Sequence, residues 1–167
     1  MRWIVIGAVA LEIAAVTWLA AKAPDTGLPD PVLTPGAVVN VDSETLCHVG
    51  YAASVRHYAR EFRNRVFASY GLTAVDRRDY EIDHLIPLSL GGAPDDLTNL
   101  WPESRRNEPF NAEVKDTLED VLHRDVCAGR MPLKEAQEAI RTDWIVAYRK
   151  YVGGAPRRFV ARSGDER

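Results

Sequence analysis

The segment Tyr80-Glu-Ile-Asp-His-Leu-Ile-Pro-Leu-Ser-Leu-Gly-Gly-Ala-Pro-Asp-Asp-Leu-Thr-Asn-Leu-Trp-Pro102 constrains the fold more than any other part of the chain. Residues 80 to 86 are rich in β-formers with partial alternation, Pro87 and Gly91-Gly92 interrupt them, and Asn99-Leu100-Trp101 resumes an extended run before Pro102. This pattern predicts a strand, a tight loop and a second short strand. Beyond it, Val114, Leu118, Val121, Leu122 and Val126 recur at three-and-four spacing, which predicts a helix. The chain is thus expected to place the pair Asp83-His84 and the amide of Asn99 on one hairpin followed by a helix.

Asp83-His84, the Gly-Gly loop, Asn99 and the helix beginning near Asn111 together resemble the HNH, or ββα-metal, endonuclease family, and the wording Leu-Gly-Gly to Asn-Leu-Trp-Pro resembles a small exported bacterial branch of it. The general layout of the resemblance spans residues 45 to 152, and its specific part is confined to 80 to 116. The resemblance implies an α+β fold: a ββα-metal core, made of a short two-stranded hairpin plus helix, embedded in a mainly helical domain. It also implies a metal-dependent endonuclease acting on the phosphodiester bonds of DNA, with RNA a further candidate.

The residue chemistry is consistent with that implication. Phosphodiester hydrolysis needs a water deprotonated, charge on the phosphoryl oxygens neutralised and the leaving oxygen stabilised. His84 is the candidate general base, because imidazole exchanges protons near neutral pH. Asp83 is the candidate ligand of a hard divalent cation. Asn99 is carried over from the family as the catalytic-site residue that braces the loop, since an amide can donate and accept at once. Read alone, His84 is equally a half-buried strand histidine and Asp83 an acid paired with Arg77 or Arg78.

The family's final histidine is absent, and Asn107 or Asn111 stands in its place. Asn107-Glu108-Pro109 reads as a helix start, with Asn107 the N-cap. Asn111 would then lie inside the helix on the face of Val114, Lys115 and Leu118, and it is the preferred second metal ligand, with Asn107 the alternative ligand and a shifted N-cap the plainer reading of Asn111. An Asp and an Asn form an oxygen site, which favours Mg2+ or Mn2+ and calls for no organic cofactor. Glu81, Glu103 and Lys115 are close enough in the pattern to touch the reaction, and each is as readily a solvated side chain.

Twenty-one Lys and Arg against twenty-four Asp and Glu give a formal net charge of -3, which argues against a polyanion partner unless basic groups are locally concentrated. A helix is expected over Ala53 to Tyr70, with Arg56, Arg60 and Arg63 in a row beside an apolar stripe of Val55, Ala59, Phe62 and Val66. That row, with Lys115, is the candidate nucleic-acid surface, and Arg77, Arg78, Arg105 and Arg106 flank the motif. A solvated face paired with Glu44, Glu61 or Asp76 is the plainer reading of the same row. A last helix, Pro132 to Val152, carries a core stripe from Leu133 to Tyr151.

The remaining organisation follows from composition. Residues 1–23 are an apolar leader, 24–44 a Pro- and Gly-rich linker or wrapping arm, 45–152 the nuclease-like domain and 153–167 a charged tail. Arg2, the run from Trp3 to Ala21 and the small-residue site Ala21-Lys22-Ala23 predict a signal peptide, hence a periplasmic or secreted protein. Glu12 offsets much of the insertion gain of this run, so anchoring to the inner membrane, with transient membrane contact through residues 3–21, is the alternative. Cys47 and Cys127 suit an oxidising compartment as one disulfide; a zinc site using Cys47-His48 with His57 or Cys127 lacks the usual paired spacing. The competing functional class is a non-catalytic envelope protein that binds nucleic acid through the basic helix face.

Overall fold

The computed structural model describes residues 27–56, 60–73, 78–154 and 156. The leader and nearly all of the charged tail lie outside the described residues, as do residues 3–21 and the membrane contact expected of them. Among the described residues the architecture is α+β, with five helices and one two-stranded antiparallel sheet. In chain order these are α1 (Ser43–Leu46), α2 (Tyr51–Val55), α3 (Arg60–Ser69), β1 (Tyr80–His84), β2 (Leu100–Ser104), α4 (Ala112–Cys127) and α5 (Leu133–Tyr151).

The hairpin follows from its own residues. β1 and β2 pair from Tyr80 opposite Ser104 to His84 opposite Leu100, and Ile82 and Leu100 pack with Val66 and Phe67 of α3 in a small apolar cluster. The larger core gathers Leu118, Leu122 and Val126 of α4 with Ala136, Ile140, Trp144 and Tyr148 of α5, beneath Ile86 and Leu90 of the loop. Four-and-three spacing places these side chains on one stripe of each helix, so the two helices bury them against each other. Phe110 closes the stack edge-on, with its ring 5.9 Å from Trp144 and 5.8 Å from Tyr148.

The segment from Gly27 to Val41 wraps the body. The Trp144 indole donates to the Gly27 carbonyl at 2.7 Å, Thr34 Oγ1 donates to Leu100 O at 3.0 Å, and Val38 bridges Gly92. Residues from Gly27 onward therefore pack on the folded body, as the wrapping arm expected of 24–44 does. α5 is not one uninterrupted helix: Asp143 leaves helical geometry (φ -166°, ψ 102°), and its Oδ1 accepts from Ile145 N and Val146 N at 2.9 Å each. An aspartate there offers the next turn an N-cap in place of main-chain continuation.

The helix expected over Ala53 to Tyr70 is also divided. α2 ends at Val55 and Arg56 is extended (φ -79°, ψ 91°), so Arg56 and Arg63 do not share a helix. Residues 57–59 lie outside the described residues, as does the side chain of Arg60.

Candidate functional site

The loop between the strands is held by one amide. Asn99 is fully buried; its Oδ1 accepts from Ile86 N at 2.9 Å, and its Nδ2 donates to Ile86 O at 3.0 Å and Ala93 O at 3.1 Å. All three bonds run to backbone, so Asn99 stitches both ends of the loop together and does not face a ligand. Gly92 makes the close approach possible, because a Cβ there would stand 1.7 Å from the Ile86 carbonyl oxygen.

The stitched loop brings the Pro94 carbonyl within 3.0 Å of His84 Nε2. A carbonyl only accepts, so Nε2 carries the proton and, in the neutral ring, Nδ1 carries the lone pair. His84 is 4% exposed, and that burial is the chief reason its pKa lies below the ordinary histidine value; the Pro94 bond and Asp83 pull the other way, while Arg56 and Lys115 add to the lowering. The ring is therefore neutral at pH 7. The Arg56 guanidinium, although off the expected helix, lies close enough for its charge to act on the ring.

Asp83 sits on the opposite face of the strand, as the period of two dictates. Its Oδ2 accepts from Lys115 Nζ at 2.5 Å. The same ammonium donates to the His84 carbonyl at 2.9 Å and to the Glu119 carboxyl, so α4 is fastened to the hairpin at the acid-histidine pair itself. Glu103 enters from β2: it is 2% exposed, shares a side-chain hydrogen bond with Asp83, and leaves its Oε1 buried without a partner.

One ammonium thus serves three carboxyl groups, and their protonation sorts accordingly. Burial pushes Asp83 up, but Lys115 and the bond from Glu103 outweigh it and hold the carboxyl below its ordinary value. Burial pushes Glu103 well above the carboxylate range and Glu119 up to about 8, with Lys115 only partly opposing. Burial alone would lower Lys115, yet Asp83, Glu119 and Glu103 raise it well above an ordinary lysine. Burial thus favours the protonated form of Glu103 and Glu119, while Lys115 keeps Asp83 as its ionised partner.

Several expectations are corrected by this geometry. Lys115, expected to contact nucleic acid, is fully buried and bonded on every side, so it cannot reach a phosphate. Asn111 does not lie inside the helix: it is the N-cap of α4, with extended backbone and its Oδ1 accepting from Val114 N at 3.2 Å. Asn107 has no part in that cap; its backbone N–H donates to Ser104 Oγ at 3.1 Å. Two of the flanking arginines are paired with strand-side acids, Arg105 with Glu81 at 2.6 Å and Arg106 with Asp79 at 2.9 Å.

Glu119 is the member that the sequence did not single out. The signal for Glu119 was present: Lys115 falls on the apolar stripe with Leu118 and Leu122, and a buried lysine requires an acid partner, which i+4 supplies. Glu103 was a candidate from its position near the motif, but only the strand register places it on the face of Asp83.

At the far end of α4, Cys47 and Cys127 form a disulfide, with Cα atoms 5.6 Å apart across a separation of 80 residues. His123 Nε2 lies 3.3 Å from Cys127 Sγ. No protein-family model matches the chain, and neither the curated proteins nor the solved structures contain a match to it.

Proposed function

We propose that the chain is an HNH-type endonuclease that hydrolyses phosphodiester bonds of DNA, and of RNA as a second substrate, with little sequence preference. The observation that carries this reading is His84: a neutral imidazole whose Nε2 proton is pinned by Pro94, in a loop stitched by Asn99, with the charge of Arg56 beside it. In this reading Nδ1 takes the proton of the attacking water, and Arg56 steadies a phosphoryl oxygen. Asn99 and Lys115 are positioning residues, the first through the loop and the second through Asp83 and the His84 carbonyl.

A divalent cation belongs to the reading, and the donors fit it in part. Asp83 keeps 24% of its side chain exposed and the unpartnered Glu103 Oε1 leaves acceptor capacity beside it, while the Lys115 ammonium already occupies Asp83 Oδ2. Asp83 is therefore the residue that would hold Mg2+ or Mn2+. Asn111 fits less well, because its oxygen already caps α4. When bound, such an ion supplies charge neutralisation at the phosphoryl group.

The grip of Lys115 on Asp83 favours a second reading, a non-catalytic envelope protein that binds nucleic acid on the same scaffold. Incubating the full chain with plasmid DNA and RNA in Mg2+, Mn2+ or EDTA separates the two. The nuclease reading expects EDTA-sensitive cleavage that falls by roughly 10^2 to 10^4-fold in His84→Ala with nucleic-acid binding retained. Binding without cleavage in any metal, or cleavage unchanged in His84→Ala, refutes it.

A further inference from the structure

We infer that Cys47, His123 and Cys127 form a redox-gated site for a soft divalent cation such as Zn2+: a disulfide when oxidised, and a two-thiolate, one-imidazole clasp once a dithiol has reduced it. Among the described residues these three alone bring one potential metal-ligand atom each to within 4.8 Å of one another. They come from two elements, Cys47 from the end of α1, and His123 and Cys127 from the last turns of α4 at the i,i+4 spacing that aims two ligands from one helix face.

The distances favour the exchange. Tetrahedral Zn2+ with bonds of about 2.3 Å to sulfur and 2.0–2.1 Å to nitrogen sets a nitrogen-to-sulfur edge of roughly 3.6 Å and a sulfur-to-sulfur edge of roughly 3.8 Å. The His123 Nε2 to Cys127 Sγ edge is already 3.3 Å. The sulfur-sulfur edge must open while Cys47 Sγ stays within reach of the His123 ring, all three ligand atoms lying within 4.8 Å of one another, and Cα atoms 5.6 Å apart leave side-chain rotation to do this. A disulfide sulfur is a weak acceptor, so its contact adds little for the imidazole in the oxidised state, whereas a thiolate pair needs a third donor. Cys127 is exposed and Cys47 and His123 are half-buried, so a small dithiol and an aqueous ion can both reach them.

The steps balance. A dithiol gives two electrons and two protons to the Cys47–Cys127 bond and becomes a disulfide itself; the two thiols then lose their protons as the cation binds, and a water completes the fourth position. The consequence is that α1 stays tied to α4 in either redox state, by a covalent bond or by a metal.

The test is titration of the full chain with Co2+, oxidised and after reduction by a non-chelating phosphine, followed by competition with Zn2+. The expected result is one equivalent of Co2+ with thiolate charge-transfer absorption and tetrahedral bands in the reduced chain alone, displaced by Zn2+, and a higher Tm of the reduced chain in Zn2+. Loss of an outer partner of a metal ligand already costs about 10 to 100-fold in affinity, so His123→Ala should weaken binding by at least that much. Absence of thiolate bands in the reduced chain, or an unaltered affinity in His123→Ala, overturns the inference. So does a reduced chain that is unfolded by circular dichroism and is not refolded by Zn2+. Thiolate bands cannot arise at Asp83, so this outcome is independent of the nuclease reading.

Discussion

Replacing Lys115 with methionine removes a fully buried positive charge while keeping most of the side-chain volume. The ammonium donates to Asp83, to Glu119 and to the His84 carbonyl, and it is fully buried. Breaking a buried ion pair by deleting one partner costs about 3–5 kcal/mol, because the other charge stays behind. Two features pull the cost to the lower end. Asp83 keeps 24% of its side chain exposed and can be partly hydrated, and burial keeps Glu103 and Glu119 protonated, so one carboxylate is stranded instead of three. The expected loss for Lys115→Met is about 3 kcal/mol at pH 7. Its pH dependence follows from Asp83, whose carboxyl is held below 3.8 when folded. A depressed folded pKa contributes stability that is present above the unfolded value and is lost as pH falls through the folded one. The variant lacks that contribution, so its deficit should be largest at pH 7 and shrink on acidification below about pH 4. Urea unfolding at both pH values, extrapolated linearly, measures it. A loss under about 1 kcal/mol at pH 7, the worth of an exposed pair, would refute the buried-pair argument, and so would a deficit that grows in acid.

Glu119→Gln should behave oppositely. The folded carboxyl titrates at about 8 against an ordinary 4.5, so the native chain holds a proton that the unfolded chain has lost, and wild-type stability falls as pH rises across that window. The variant's stability relative to wild type should climb by up to about 1.4 kcal/mol per pH unit between those values and level off above them; parallel pH-stability curves would count against it. Asn99→Ala strands the Ile86 N–H and the Ile86 and Ala93 carbonyls, at about 1–3 kcal/mol per orphaned buried group, so a melting temperature within a degree or two of wild type would show that the loop does not depend on this amide. Asn111→Ala should cost about 0.5–2 kcal/mol as a lost N-cap, whereas Asn107→Ala should cost less; equal Tm shifts would contradict the cap assignment. If His84 is the base of a cleavage reaction, its lowered pKa keeps it neutral through pH 7, so the acid limb of the rate profile should lie below the ordinary histidine value of 6.5; a midpoint above that would exclude it.

The sequence by itself determined the elements and their order along the motif. Period-two apolar residues around Ile82, the Gly91-Gly92 break and the stripe from Leu118 to Val126 are local signals, and local signals are sufficient for a hairpin and a helix. The pairing of Cys47 with Cys127 was also legible, because two cysteines in such a chain leave one disulfide to form. Tertiary structure decided which polar groups meet. Lys115 looked like a surface lysine, but it lies on the buried stripe of α4, where only an acid from β1 and another one turn on could offset the loss of hydration. Asn111, not Asn107, caps α4 because helix ends are set by where packing lets the first turn begin, and either asparagine could have served as cap. The break after Val55 and the one at Asp143 were not legible either, because the apolar spacing continues across both, although the Asp143 side chain caps the turn that follows it.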